Sequence, residues 1–214
     1  MRKAFTLAEV LITLGIIGVV AAMTLPSVIT NVQKNVVTNK LMVFNNIINN
    51  AFRMAQAEYG GNFEDWVNDK SYYSYNDMVE FLNTYLFPYI KYSEVQPYTG
   101  PSGQTGVLFR LSNGSLVWTH IDDNGGDLLY FANGKWEVNP RNRFGFQFAK
   151  YTTTAKASKQ SANFIEPYTL NWDGNRESLK TSGTWACKKG CSNCNYCTKL
   201  IQLNNWEIPD DYPW

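Results

Sequence analysis

The sequence has a single histidine, His120, in 214 residues. That leaves little for imidazole acid–base catalysis or histidine-ligated metal. Charged residues are also sparse, at 17%, and nearly cancel to a formal net charge of +1. No broad basic face therefore argues for nucleic acid. Charge is scarcest near the amino terminus, where Glu9 is the one ionisable side chain between Lys3 and Lys34. What the chain does have is aromatic: thirteen Tyr, seven Trp and twelve Phe. Asn recurs beside Gly, which suits a turn-rich domain containing β-strands. The length allows an apolar leader and one globular domain with its own core. This composition leans towards a surface or structural protein, and no enzymatic activity is expected.

Residues 10–29 form a run of twenty without a charge, interrupted by Gly15, Gly18 and Pro26. At ~1.5 Å per residue a helix of that length spans a bilayer core of about 30 Å. Arg2 and Lys3 precede it, so the amino terminus is expected on the cytoplasmic side. A plain membrane anchor and a secretory signal peptide cut after Ala22 are the simpler readings. Against the second, Glu9 is badly placed and the pattern does not stop at Ala22. Val28, Val32, Val36, Leu41, Phe44, Ile48, Phe52 and Ala55 continue at three- to five-residue steps, as on an amphipathic helix. Tyr59-Gly60-Gly61 supplies a stop. The expectation is one helix of roughly 80 Å, with an apolar half over 5–29 and an amphipathic continuation over 30–60. A carboxylate in the first half costs roughly 2.5 to 3.5 kcal/mol in hydrocarbon, so Glu9 needs a reason.

Lys3-Ala4-Phe5-Thr6-Leu7-Ala8-Glu9, the apolar run and Pro26 together resemble the prepilin-type cleavage and methylation motif. That motif marks type IV pilins and the pseudopilins of type II secretion. The resemblance implies a leader over residues 1–4, removed by a prepilin peptidase between Ala4 and Phe5, and methylation of the new Phe5 amine. Gly is usual where Ala4 stands, and alanine is small enough for the same pocket. Glu9 then lies about one turn from a cationic amine. In a filament, Glu9 of one subunit can pair with the Phe5 amine of a neighbour, and the apolar bundle favours only the register that pairs them. Pro26 removes a backbone donor and loosens the helix upstream. Gly15 and Gly18 permit close helix approach. Glycine and proline are also simply common in membrane helices.

The remainder, 61–214, reads as one α/β domain. "SYNDMVEFLNTYLFPY" suggests a helix capped near Asn76 and stopped by Pro88. Residues 95–106 read as loop. Strands are expected at "GVLFRL" and "SLVWTHI" around Asn113-Gly114, and at "DLLYFA" and "KWEV" around Asn133-Gly134. "FGFQFAKY" is a further strand, 152–184 shows no period, and 199–203 reads as a terminal strand. The fold class is α+β and pilin-like, a long amino-terminal helix packed on an antiparallel sheet.

Two clusters resemble sites. Asp122, Asp123, Asn124 and Asp127 place oxygen ligands around two glycines, a candidate calcium site whose spacing is equally ordinary turn chemistry. Cys187, Cys191, Cys194 and Cys197 are all four cysteines in the chain. Their spacing suits zinc or an iron–sulfur cluster, and the first three mimic the radical-SAM spacing. In an oxidising compartment the same four form two disulfides of undetermined pairing. The cysteine-rich tail resembles, less specifically, the pinned carboxy-terminal strand of pilin-like proteins.

The pilin resemblance implies a structural subunit without cofactors. Its partners are copies of itself or related pilins, the prepilin peptidase and an inner-membrane assembly platform. It implies a single-pass inner-membrane protein that moves into a periplasmic or surface filament. The insert at 62–104 leans towards a minor or tip-proximal subunit. An anchored periplasmic binding module with an uncut leader is the alternative, and a metal enzyme built on the cysteines a third.

Overall fold

The computed structural model describes residues 6–67, 74–100, 103–122, 125–148 and 163–214. They fall into two compact units, Met1–Val36 and Val37–Trp214. One helix, α1 (Leu7–Tyr59), supplies the described part of the first unit from Leu7 onward and enters the second. As expected, it ends at glycine. Gly60 takes the left-handed φ of 68° that a side chain resists, and its N–H returns to the Gln56 carbonyl at 2.9 Å.

In the second unit, α1 is followed by α2 (Phe63–Val67) and α3 (Tyr75–Tyr85). The α3 cap is Ser74 rather than Asn76. The Ser74 hydroxyl accepts the Asp77 N–H at 3.2 Å and donates to the Asp77 carboxylate at 2.6 Å, so the reciprocal Ser–Asp pair decides the start. Met78, Phe81 and Leu82 are buried on one face, and a 3-10 turn at Phe87–Tyr89 takes up Pro88.

Six antiparallel strands then follow in chain order, each hydrogen-bonded to the next: β1 (Tyr92–Thr99), β2 (Thr105–Leu111), β3 (Leu116–Asp122), β4 (Gly125–Phe131), β5 (Arg143–Phe148) and β6 (Ile165–Pro167). Alternation sorts their side chains. Val107, Phe109, Val117, Leu128, Tyr130, Phe144, Phe146 and Phe148 share one core with Leu41, Phe44, Ile48 and Phe52 of α1. Phe44 stacks on Tyr130 at 4.4 Å, and Phe52 meets Phe148 edge-on at 5.8 Å. Leu108, Leu116, Trp118, Leu129 and Phe131 form a second cluster, sealed by Tyr98 and Trp136.

Four expectations are corrected. The stretch read as loop from residue 95 contains most of β1, because pairing with β2 overrides its Pro and polar content. Pro97 is tolerated because β1 is the edge strand of the sheet among the described residues. "KWEV" is not a strand. The Asn142 amide donates to the carbonyls of Lys135 and Glu137, both at 3.0 Å, holding that segment as a loop, and β5 takes the place beside β4. Within 152–184, β6 and α4 (Ser178–Thr181) are regular, while residues 152–162 lie outside the described residues. The terminal "strand" is helix α5 (Cys197–Gln202). Cys197, Leu200 and Ile201 are buried at helical spacing, a short apolar run that period alone does not resolve.

Candidate functional site

Glu9 sits in the first turn of α1, where four backbone N–H groups lack helical partners. The Thr6 N–H and the Thr6 hydroxyl both donate to Glu9 Oε2, each at 2.8 Å, and the Glu9 N–H donates back to the Thr6 hydroxyl at 3.3 Å. This is a capping box, a Thr followed three residues later by Glu. The role of Thr6 was missed in the sequence, although Thr-Leu-Ala-Glu carried the signal. In the single chain, the carboxylate that looked unaccountable closes its own helix end. Among the described residues, both Thr6 bonds fall on Oε2 and leave Oε1 for another donor.

The rest of the segment presents apolar side chains all round. Leu7 is 79% exposed, Ile12 63% and Met23 76%. Hydroxyls that would be costly in hydrocarbon turn inward to the helix backbone. Thr13 donates to the Glu9 carbonyl at 2.9 Å and Thr24 to the Val20 carbonyl at 3.0 Å. A β-carbon at Gly15 or Gly18 would meet nothing within 4 Å, so both leave open surface. Helix α1 continues through Pro26, whose nitrogen has no hydrogen for the Ala22 carbonyl. Thr30 donates to the Pro26 carbonyl at 2.8 Å. Ala4 and Phe5 lie outside the described residues. By length and composition, α1 is the one helix among the described residues able to cross a membrane.

A second apolar stripe runs along α1 within the second unit. Val43, Ile47 and Met54 are 48%, 39% and 55% exposed at spacings that share a face. They alternate with the buried Leu41, Phe44, Ile48 and Phe52.

The four cysteines form two nested disulfides, Cys187–Cys197 and Cys191–Cys194. The segment they close lies on β5. Asn193 accepts a hydrogen bond from the buried Arg143 at 3.2 Å, and Asn195 meets Gly145. Burial pulls the Arg143 guanidinium down to about 10. Beside them, Thr169 donates its N–H to the Gln147 side chain at 2.8 Å. Among the described residues no group of three His, Cys, Asp or Glu side chains could hold a metal. Of the candidate calcium ligands, Asp123 and Asn124 lie outside the described residues. Asp127 stands opposite His120 in the β3–β4 register.

Residues 27–214 match a family of unknown function (DUF6613). The chain belongs to this family. Residues 1–25 match the prokaryotic N-terminal methylation motif, which supports membership of the type IV pilin and pseudopilin group and implies processing by a prepilin peptidase and filament assembly in general. No curated protein and no solved structure matches the chain. The two matches to this DUF6613 protein adjoin, and the boundary between them falls at Pro26.

Proposed function

We propose that this protein is a non-enzymatic structural subunit of a type IV pilus or type II secretion filament, without a cofactor. It is inserted in the inner membrane with its amino terminus cytoplasmic, cut between Ala4 and Phe5, methylated on Phe5, and drawn by an assembly platform into a periplasmic or surface filament. The observation that carries this reading is an apolar helix exposed on every side with one carboxylate in its first turn. A simple anchor uses that carboxylate only as a helix cap, a task a neutral side chain also performs. In the filament, Glu9 receives the Phe5 amine of a neighbour, and the cost of burying either charge alone selects that register. The exposed Val43, Ile47 and Met54 extend the packing surface beyond the membrane.

The test is intact mass and amino-terminal sequencing of protein from membranes and from sheared surface material, for the natural chain and for Glu9→Gln. Filament assembly predicts a chain starting at N-methylated Phe5 in both fractions. Glu9→Gln should be processed yet stay in the membrane fraction. A chain that starts at Met1 and ignores the Glu9 substitution identifies an anchored binding module instead.

A further inference from the structure

A cleft of about 480 Å³ opens in the second unit. Asn139 and Arg141 of the β4–β5 connection line one side, Lys189 of the disulfide-closed loop another, and Trp214 a third. Among the described residues no acidic side chain lines it. Three other cations of this unit are held by carboxylates, Arg110 by Glu94, and Arg176 and Lys180 by Asp211, all at 2.7 Å. Arg141 and Lys189 have no such partner among the described residues. The Arg141 guanidinium instead lies over the Trp214 ring, 5.5 Å from its centre.

The walls are fixed before any ligand arrives. The Asn139 side-chain oxygen accepts the Arg141 N–H at 2.9 Å, which leaves its amide NH₂ for another acceptor. The buried Tyr212 phenol donates to the Pro140 carbonyl. Lys189 sits in a tight turn, with the Cys191 N–H bound to the Lys188 carbonyl at 3.2 Å, inside the loop closed by the Cys187–Cys197 disulfide. Preorganisation of this kind lowers the ordering cost of binding.

We infer that this cleft binds an acidic sugar, a pyranose ring bearing a carboxylate such as a uronic acid unit. Such a unit uses every group present. Its flat face packs on the part of the indole that the guanidinium leaves open, its carboxylate takes the guanidinium and ammonium, and its hydroxyls accept from Asn139. The volume lies within the range of small-ligand sites. Inorganic phosphate would leave the indole unused, and a neutral sugar would leave two cations unpaired. In a nucleotide, ribose separates the stacking ring from the charge, whereas here the guanidinium lies over the indole itself. This inference stands whether or not α1 assembles into a filament.

The test is calorimetric titration of the detergent-solubilised full chain with trigalacturonate, alongside galactotriose, trithymidylate and inorganic phosphate. Saturable binding of trigalacturonate, at least about tenfold tighter than of the other three, is expected. Added salt should weaken it, and Lys189→Gln, Arg141→Gln and Trp214→Ala should each weaken it about fivefold or more, with unchanged thermal unfolding of the two cation variants. Lys189 and Arg141 are exposed, so those variants keep the test sound if Trp214→Ala alters the fold. Absence of saturable trigalacturonate binding overturns the assignment, as does equal affinity for galactotriose, tighter binding of trithymidylate or phosphate, or indifference to both cation substitutions.

Discussion

A β-carbon placed on Gly145 would stand 2.9 Å from Cβ of Asn195. The backbone of the cysteine-rich segment therefore rests directly on β5, with no side chain between. Gly145→Ala forces the two apart, and overpacking of this kind costs about 1–3 kcal/mol. We expect a lowered urea midpoint, together with faster reduction of both disulfides because the segment lifts. An unchanged midpoint would show that the segment does not bear on the strand.

Asn49 joins α1 to β6 as a surrogate backbone. Its side-chain oxygen accepts the N–H of Phe164 at 2.7 Å and of Ile165 at 3.0 Å, and its amide donates to the Ile165 carbonyl at 3.2 Å. Asn49→Leu leaves these buried groups unpaired, and each such group costs about 1–3 kcal/mol. The loss should therefore approach that of Phe52→Ala, about 3–5 kcal/mol, despite the added apolar volume. Equilibrium urea unfolding of both variants decides it.

Alkali should unfold the second unit through its tyrosines. Burial raises the Tyr212 phenol well above its ordinary value and Tyr196 to about 12, and it raises Tyr130 as well. These groups keep their protons in the fold after the unfolded chain has lost them. Their contribution is complete below about pH 10 and falls away above it. Buried Arg143, held to about 10, acts in the opposite sense, since it sheds its proton in the fold before the unfolded chain does. Lys199, which burial also lowers, acts in the same sense as Arg143, and the three tyrosines against these two cations give a net loss. The urea midpoint should hold to about pH 10 and then drop, and Tyr212→Phe should flatten the drop while lowering the plateau through loss of its bond to the Pro140 carbonyl.

The exposed stripe on α1 separates assembly from folding. Ile47→Lys, at a position 39% exposed, should change stability by less than about 0.5 kcal/mol, as surface substitutions do. It should nonetheless abolish recovery of the protein in sheared filaments. Normal recovery would remove this face from the packing surface.

Thiol labelling of the unreduced protein should modify none of its cysteines, and labelling after denaturation and reduction all four. Replacing the Cys187–Cys197 pair by serines should cost about 2–3 kcal/mol, and replacing Cys191–Cys194 somewhat less, because the inner loop is shorter. Denaturant titrations of the two double variants test that order.

The helix and most of the sheet were legible because their signals are local and long. The apolar run, the glycine stop after Tyr59 and the Asn113-Gly114 turn each carry their structure within a few residues. The amino-terminal site was legible only as a family pattern. The capping role of Thr6 is not distinctive in sequence, because Thr-x-x-Glu sits inside the longer motif that Glu9 already satisfies. The errors lay where a distant partner decides. Residues 92–99 become a strand because β2 lies beside them, residues 135–138 remain a loop because Asn142 takes their carbonyls, and α5 is a helix because its burial follows a 3.6 period over only six residues. The disulfide pairing was beyond the sequence, since four cysteines allow three connectivities.

The order of the sheet is also the order of the chain, so each strand can pair with its neighbour soon after that neighbour emerges, a local topology of the kind that folds quickly. The contacts of α1 are the exception, and those of Asn49 reach to partners 115 and 116 residues downstream. A nascent chain therefore carries its greasy helix face partly uncovered until β6 arrives, and the last strand to be made is the one that locks the first element in place.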